Sequence, residues 1–307
     1  MMTLDKIVAV VLAGGVKSFS FREFYHQLED LFFYREWYFR RGYKSLKKIK
    51  IRRGANGKPK PMVEYVLNTL RKTEKIDRIL VVGPEKEMRE KIDPALLSEG
   101  SNITLIEQKE NFGKNVKEGY NHAGAKHVLF VASDSPTTKK EDVSEFIAIC
   151  EALYNEYDVI YPIVKESLLR RYHRAFPRPF FKMAPDNIFP PDYINEEDIR
   201  EDGRVGFRIT SMAFANFENF SVERIEEAYN LRKLHRKSSR DKLKKIFGKN
   251  LIRRYRQGLK MSDIERMFSD YEGLSLKFVG LSGAETSLDL DSRRDEKELS
   301  NLYIDGQ

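Results

Sequence analysis

A single cysteine, Cys150, in a chain of 307 residues excludes an internal disulfide framework and any cysteine-built metal cluster. It falls in the helical apolar pattern Val143, Phe146, Ile147, Cys150, which reads as core. No apolar run reaches the roughly 20 residues that cross a bilayer, and the mean hydropathy of −0.56 is that of a soluble chain. The apolar stretch Ile7 to Leu12 is too short for a signal peptide and lacks a cleavage site, so a cytoplasmic location is expected. There is no internal repeat, no low-complexity tract and no long Pro/Gly/Ser linker. Residues 1–307 are therefore expected to form a single domain.

Acidic residues are scarce in one place. Between Leu231 and Lys260 there are thirteen lysines and arginines and one acid, Asp241. That segment exceeds the net +8 of the whole chain. It will feel any anionic partner. Its apolar positions Leu243, Ile246, Phe247, Leu251, Ile252 and Tyr255 follow a helical period, so the basic residues cover one face of packed helices. No nucleic-acid motif accompanies them. Specific nucleic-acid binding is not expected, whereas peripheral contact with an anionic membrane stays open.

The N-terminal half alternates strands and helices. Strand patterns run over Lys6–Leu12, Arg78–Val82, Asn102–Ile106, His127–Ser133 and Asp158–Val164. Helical patterns run over Val63–Leu70, Glu85–Ile92, Asn115–Ala123 and Asp142–Tyr154. This order predicts an α/β fold: a three-layer, mostly parallel, Rossmann-like sheet with helices on both faces. Ligands in such sheets sit beyond the carboxyl ends of the strands, an edge that would carry Gly14-Gly15, Gly83-Pro84 and Asp134. Beyond Val164 the regularity breaks. Phe207–Ala215 suggests a further strand, residues 221–270 helices, Leu274–Val279 a last strand, and 293–307 a polar terminal helix.

Four short motifs carry chemistry. Leu12-Ala13-Gly14-Gly15 follows the first strand, and glycines there let backbone approach a base or phosphate. Taken alone, it is equally a plain strand-to-helix turn. Lys60-Pro61-Met62 opens a helix, where a lysine adds full charge to an anion-favouring N-terminus. Ser133-Asp134-Ser135-Pro136 follows the fourth strand, and Ser287-Leu288-Asp289-Leu290-Asp291 lies near the C-terminus. Alternation puts Asp289 and Asp291 on one side of an extended segment, and carboxylates at a strand end suit a divalent cation with phosphate ligands.

Together these motifs resemble the MobA-like nucleotidyltransferases, a family with the GT-A-type fold. The resemblance implies that Leu12, Ala13, Gly14, Gly15, Gly83, Asn115 and Ser133 hold the nucleotide. It implies that Lys60, with Lys17 near the place of the family's loop arginine, acts on the phosphates. Asp134, Asp289 and Asp291 would bind Mg²⁺ (or Mn²⁺). The implied reaction is attack of an acceptor phosphate on the NTP α-phosphorus with release of pyrophosphate. The partners are then an NTP donor and a phosphorylated small-molecule acceptor, such as a sugar or polyol phosphate.

The sequence departs from that family in one respect. Lys60 stands 45 positions beyond Gly15, and the tract between is aromatic and basic. Residues 17–58 therefore read as an insertion, either helices packed on the body or a lid-like surface segment. Lys17, Arg22, Arg52 and Arg53 are all candidates for the loop arginine. Residues 165–272 form the acceptor-side and basic helical accessory region. Arg174, Arg208 and Thr210 are its candidate acceptor-binding residues. A nucleotide-sugar glycosyltransferase of the same fold is the rival enzyme. It typically wants a D-x-D at the metal strand, where this chain has Ser133-Asp134-Ser135.

Overall fold

The computed structural model describes residues 6–14, 43–51, 58–172, 180–231, 251–290 and 293–302. Among these, the strands are β1 (Ile7–Leu12), β2 (Lys48–Ile49), β3 (Lys60–Pro61), β4 (Ile76–Gly83), β5 (Ile103–Glu107), β6 (Val128–Ala132), β7 (Val159–Lys165), β8 (Phe181–Met183), β9 (Val205–Ile209), β10 (Met212–Ala215) and β11 (Leu276–Gly280). The helices are α1 (Met62–Arg71), α2 (Glu85–Lys91), α3 (Phe112–Ala123), α4 (Lys140–Leu153), α5 (Glu166–Leu169), α6 (Val222–Leu231), α7 (Leu251–Gly258), α8 (Met261–Glu272) and α9 (Arg293–Leu302).

The sheet is α/β and mostly parallel. It runs β5-β4-β1-β6-β10-β7, with β11 parallel to β7 on its other side. Successive residues of β1 point to opposite faces, and both faces are buried. Ile7, Ala9 and Val11 pack with Met62, Val66, Leu70, Phe146 and Cys150. Val10 packs on the other face with Leu80, Val82, Ile106 and Val116. A two-sided burial of this kind needs a near-continuous apolar strand, which is what Val8 to Leu12 supplies.

The expected mostly parallel sheet is found, and its exceptions are β8, β9 and β10, which run antiparallel to their partners. The expected single strand Phe207–Ala215 is two strands, split at Thr210-Ser211. Along β7, Ile163 faces Ile209 and Ile160 faces Phe214. Three positions on one strand thus match five on the other, so two residues bulge out of the ladder. Such a bulge bends the strand. β10 then pairs with β6, while β9 leaves for β8. The bulge lies at the carboxyl end of β6, where Ala132 N donates to Ser211 O (2.8 Å).

Other elements shift by a turn or less. The helix expected from Asn115 starts at Phe112, because the Asn111 side chain caps it by accepting from Lys114 N (2.8 Å). Of the tract 17–58, residues 43–51 and 58 are described, and they belong to the body. Ser45 Oγ donates to Ala13 O (2.7 Å), Met62 N donates to Lys47 O (3.0 Å), and Leu46, Ile49 and Ile51 are buried in the main core. The remainder of that tract, and most of the basic segment at 232–250, lie outside the described residues.

The chain after β11 returns across the carboxyl edge of the sheet and buries a carboxylate against α4. Asp142 is 5% exposed, and its Oδ2 has no hydrogen-bond partner among the described residues. Burial pushes its pKa up to about 6, the nearby Glu285 and Glu145 carboxylates add to this, and Lys139 opposes them. An unfolded aspartate ionises near 3.8. The folded state therefore holds the extra proton between those two values, and stability falls as pH rises through that window. The loss is on the order of 1–3 kcal/mol and is complete above about pH 6. Asp142→Asn is expected to be more stable than wild type at pH 7.5, with the gap closing below pH 4, in urea melts at both pH values. A variant less stable at pH 7.5 would show that the charge itself is needed.

Candidate active site

Parallel strands β1, β4, β5, β6, β7 and β11 all end on one edge. That edge collects the candidate residues from distant parts of the sequence. Beyond β1, Ala13 N donates to Val82 O (2.9 Å), and Ala13 O accepts from Ser45 Oγ. Both main-chain groups of Ala13 are thus committed within the fold. Gly14 is exposed beside it. A Cβ there would stand 2.7 Å from Gln108 Oε1 and 3.2 Å from Asn115 Nδ2. The glycine keeps a slot between strand end and helix α3, which is the close approach that a Gly loop permits. Asn115 is fixed in it: its Oδ1 accepts from Lys109 N (2.6 Å). Gln108 donates to Tyr43 Oη (3.2 Å), and its own amide N bonds Gly83 O (2.9 Å). Leu12, Ala13, Gly14, Gly83 and Asn115 are therefore neighbours, and Ser133 joins them through its N–H on Leu12 O (3.3 Å).

Asp134 stands at the end of β6, with a side chain about one-third exposed. Leu290 N donates to Asp134 O (2.9 Å), which sets the Asp289–Leu290 segment directly beside it. Asp289 is paired with Arg208, which reaches across from β9. Arg208 is itself buried. Asp291 lies outside the described residues, as do Gly15, Lys17 and Arg174. Thr210 is buried in the bulge. Its hydroxyl accepts from Met212 N (3.3 Å) and its amide donates to Pro162 O (3.2 Å).

The lysine on Asp134 is Lys44. Its Nζ lies 2.9 Å from Asp134 Oδ2. Lys60 is exposed on β3, paired in the ladder with Ile49, ahead of helix α1. Lys44 was hidden within the tract read as an insertion. The available signal was local: Ser45-Leu46, followed by the alternation Ile49, Ile51, reads as a turn entering a strand. Gln108 was missed as well, being one polar residue past a strand.

Asp134 and Asp289 are two carboxylate donors on neighbouring segments, and the described residues contain no cluster of three His, Cys, Asp or Glu side chains. That donor set fits Mg²⁺, which takes one or two carboxylates and completes its shell with water and substrate phosphates. It does not suit a metal held entirely by protein.

Residues 52–193 match the model of the MobA-like NTP transferase domain. The match includes Lys60, Gly83, Asn115, Ser133 and Asp134, and it leaves Gly14, Lys44, Arg208 and Asp289 outside. No curated protein matches the chain. Solved structures do. A hypothetical transferase from Thermus thermophilus is 18% identical, with a TM-score of 0.62 over 95% of this chain and 99% of that one. The CMP:2-keto-3-deoxy-manno-octonic acid synthetase complexed with CTP is 11% identical, with a TM-score of 0.55 over 98% and 100%. The 4-diphosphocytidyl-2C-methyl-D-erythritol synthase of Anaerococcus prevotii is 13% identical, with a TM-score of 0.50 over 97% and 96%. At such identities these likenesses concern the fold.

The Lys44–Asp134 pair also has a structural reading, as a surface ion pair. Both side chains are roughly one-third exposed, and pairs of that kind contribute about 0–1 kcal/mol. Lys44→Met is therefore expected to change unfolding stability by less than about 1 kcal/mol in urea melts. A loss well above that would assign Lys44 to the fold.

Proposed function

We propose that this chain, which carries a MobA-like NTP transferase domain over residues 52–193, transfers a nucleoside monophosphate from an NTP to a phosphorylated small molecule, a sugar or polyol phosphate. The observation that carries the reading is the meeting of Lys44, Asp134, Asp289 and Arg208 at the strand edge beside the Gly14 slot. A structure of similar fold has been solved with CTP, which supports a nucleotide as ligand.

In this reading the base and ribose lie against Gly14, with Gln108 and Asn115 as polar neighbours. Asp134 and Asp289 would hold Mg²⁺ (or Mn²⁺), which would supply charge to neutralise the phosphates. Lys44 is placed to meet the triphosphate, taking the role the sequence had suggested for Lys60. An oxygen of the acceptor phosphate attacks the α-phosphorus, the bond from that phosphorus to the bridging oxygen of the β-phosphate breaks, and pyrophosphate leaves with the electron pair. The acceptor phosphate is already anionic, so no side chain has to remove a proton. The protein's contribution is orientation and charge. Arg208, held on β9, pairs with Asp289 and is suited to a second phosphate.

The test is a thermal-shift panel of ATP, GTP, CTP and UTP, each with and without Mg²⁺, on wild type and Asp134→Asn. A nucleotide at about 100 times its Kd stabilises the native state by about 2.7 kcal/mol. The expected result is a shift with one base that requires both Mg²⁺ and Asp134, with Asp134→Asn still folded. Binding that is unchanged in Asp134→Asn would overturn the site.

A further inference from the structure

The segment that carries Asp289 is not a loose tail. It is tied to the Asp134 side of the site at successive points. Ser282 donates from both its N and its Oγ to the Glu145 carboxylate on α4 (3.0 and 2.8 Å). Gly283 lies so close to the Asp142 carboxylate that a Cβ would overlap it. Thr286 O accepts from Ser211 N (2.9 Å) and Leu290 N donates to Asp134 O.

Glu285 is the node of these ties. It is 2% exposed, and it opens the single helical turn Glu285–Ser287. Its Oε1 accepts from Lys139 Nζ (2.5 Å) and from Tyr172 Oη (2.9 Å). Its Oε2 accepts from Ala284 N (3.1 Å), and its main-chain O accepts from Thr137 Oγ1 (2.7 Å). Thr137 and Lys139 follow Asp134 by a few residues, whereas Glu285 precedes Asp289 by four. One carboxylate therefore joins the segment after one candidate metal ligand to the segment before the other. Burial would raise its pKa, and the Lys139 and Tyr172 hydrogen bonds outweigh that and hold it below the ordinary value. A buried carboxylate paired with a half-exposed lysine is a poor way to add stability, because desolvating the carboxylate offsets much of the attraction. Its use here reads as fixing geometry.

We infer that Glu285 is a positioning residue that keeps Asp289 in register with Asp134, so that the two carboxylates accept one divalent cation together with the nucleotide phosphates. This rests on the two-carboxylate reading of the site. Outer partners of metal ligands commonly affect metal affinity by about 10–100-fold.

The experiment measures binding of Mn²⁺ with each of ATP, GTP, CTP and UTP by electron paramagnetic resonance, and of the nucleotides alone in EDTA by calorimetry. The proteins are wild type, Asp134→Asn, Asp289→Asn, Glu285→Gln, Lys139→Met and Lys139→Arg. Lys139 has a 40% exposed side chain, so its substitution opens no core cavity; Lys139→Arg keeps a cation on Glu285, and urea melts check that every variant is folded. Glu285→Gln and Lys139→Met are expected to lower affinity for the Mn²⁺–nucleotide complex by about tenfold or more, with metal-free nucleotide affinity unchanged and Lys139→Arg restored towards wild type. Glu285→Gln added to Asp289→Asn is expected to lose little more. If Asp134→Asn and Asp289→Asn weaken the complex while Lys139→Met and a folded Glu285→Gln do not, the inference is wrong and the two-carboxylate site stands. If metal-bound and metal-free affinities fall together, Glu285 is merely structural. If neither aspartate variant weakens the complex, both the site and the inference fall.

Discussion

A single main-chain hydrogen bond, from Leu290 N to Asp134 O, makes one site out of two remote stretches of chain. It is the last in a row of ties, after those of Ser282, Glu285 and Thr286, that bring the Asp289 segment beside Asp134. The bond exists because β11 lies parallel to β7 and delivers the following segment to the same edge as β6. The sheet thus supplies the coincidence in space, and the return segment supplies the alignment. Lys44 then meets Asp134 from the helical turn Lys44–Leu46, and Arg208 meets Asp289 from β9.

The bulge at Thr210-Ser211 has the complementary role. A regular antiparallel strand against β7 would close the sheet over the carboxyl end of β6. Two extra residues divert β9 to β8 and leave β10 with β6. Arg208 is carried to the rim by that diversion, while the bulge itself is sealed by Thr210 on Met212 N and Ser211 on Thr286 O. Buried polar groups are costly unless paired; the main-chain amides of the bulge are paired, while the Ser211 hydroxyl is buried with no hydrogen-bond partner among the described residues.

Much of the fold was legible because two periods were clear. The apolar runs of β1, β4 and β6 need burial on both faces, and α1 and α4 repeat every three to four residues. The placement of Gly14, Asn115, Ser133, Asp134 and Asp289 along one sheet edge was also legible, since each sits at a strand end, in a helix beside one, or in the segment that returns to it. The antiparallel strands were not, because strand direction is set by which edge is vacant and leaves no local trace. Lys44 was not, because a charged residue in a basic, aromatic tract has no period to mark it. Glu285 was not, because its partners Lys139, Tyr172 and Thr137 come from two other segments, and a buried glutamate looks the same in sequence as an exposed one.

The most direct measurement follows the α-phosphorus. An NTP labelled at that atom would be incubated with Mg²⁺ and a panel of sugar and polyol phosphates, using wild type and Lys44→Met. The expected result is that label moves to one acceptor with one pyrophosphate released per transfer, and that Lys44→Met is slower by about 10²-fold or more while remaining folded. Label that stays in the NTP across the panel, while nucleotide sugars are consumed and their sugar is transferred, would contradict it.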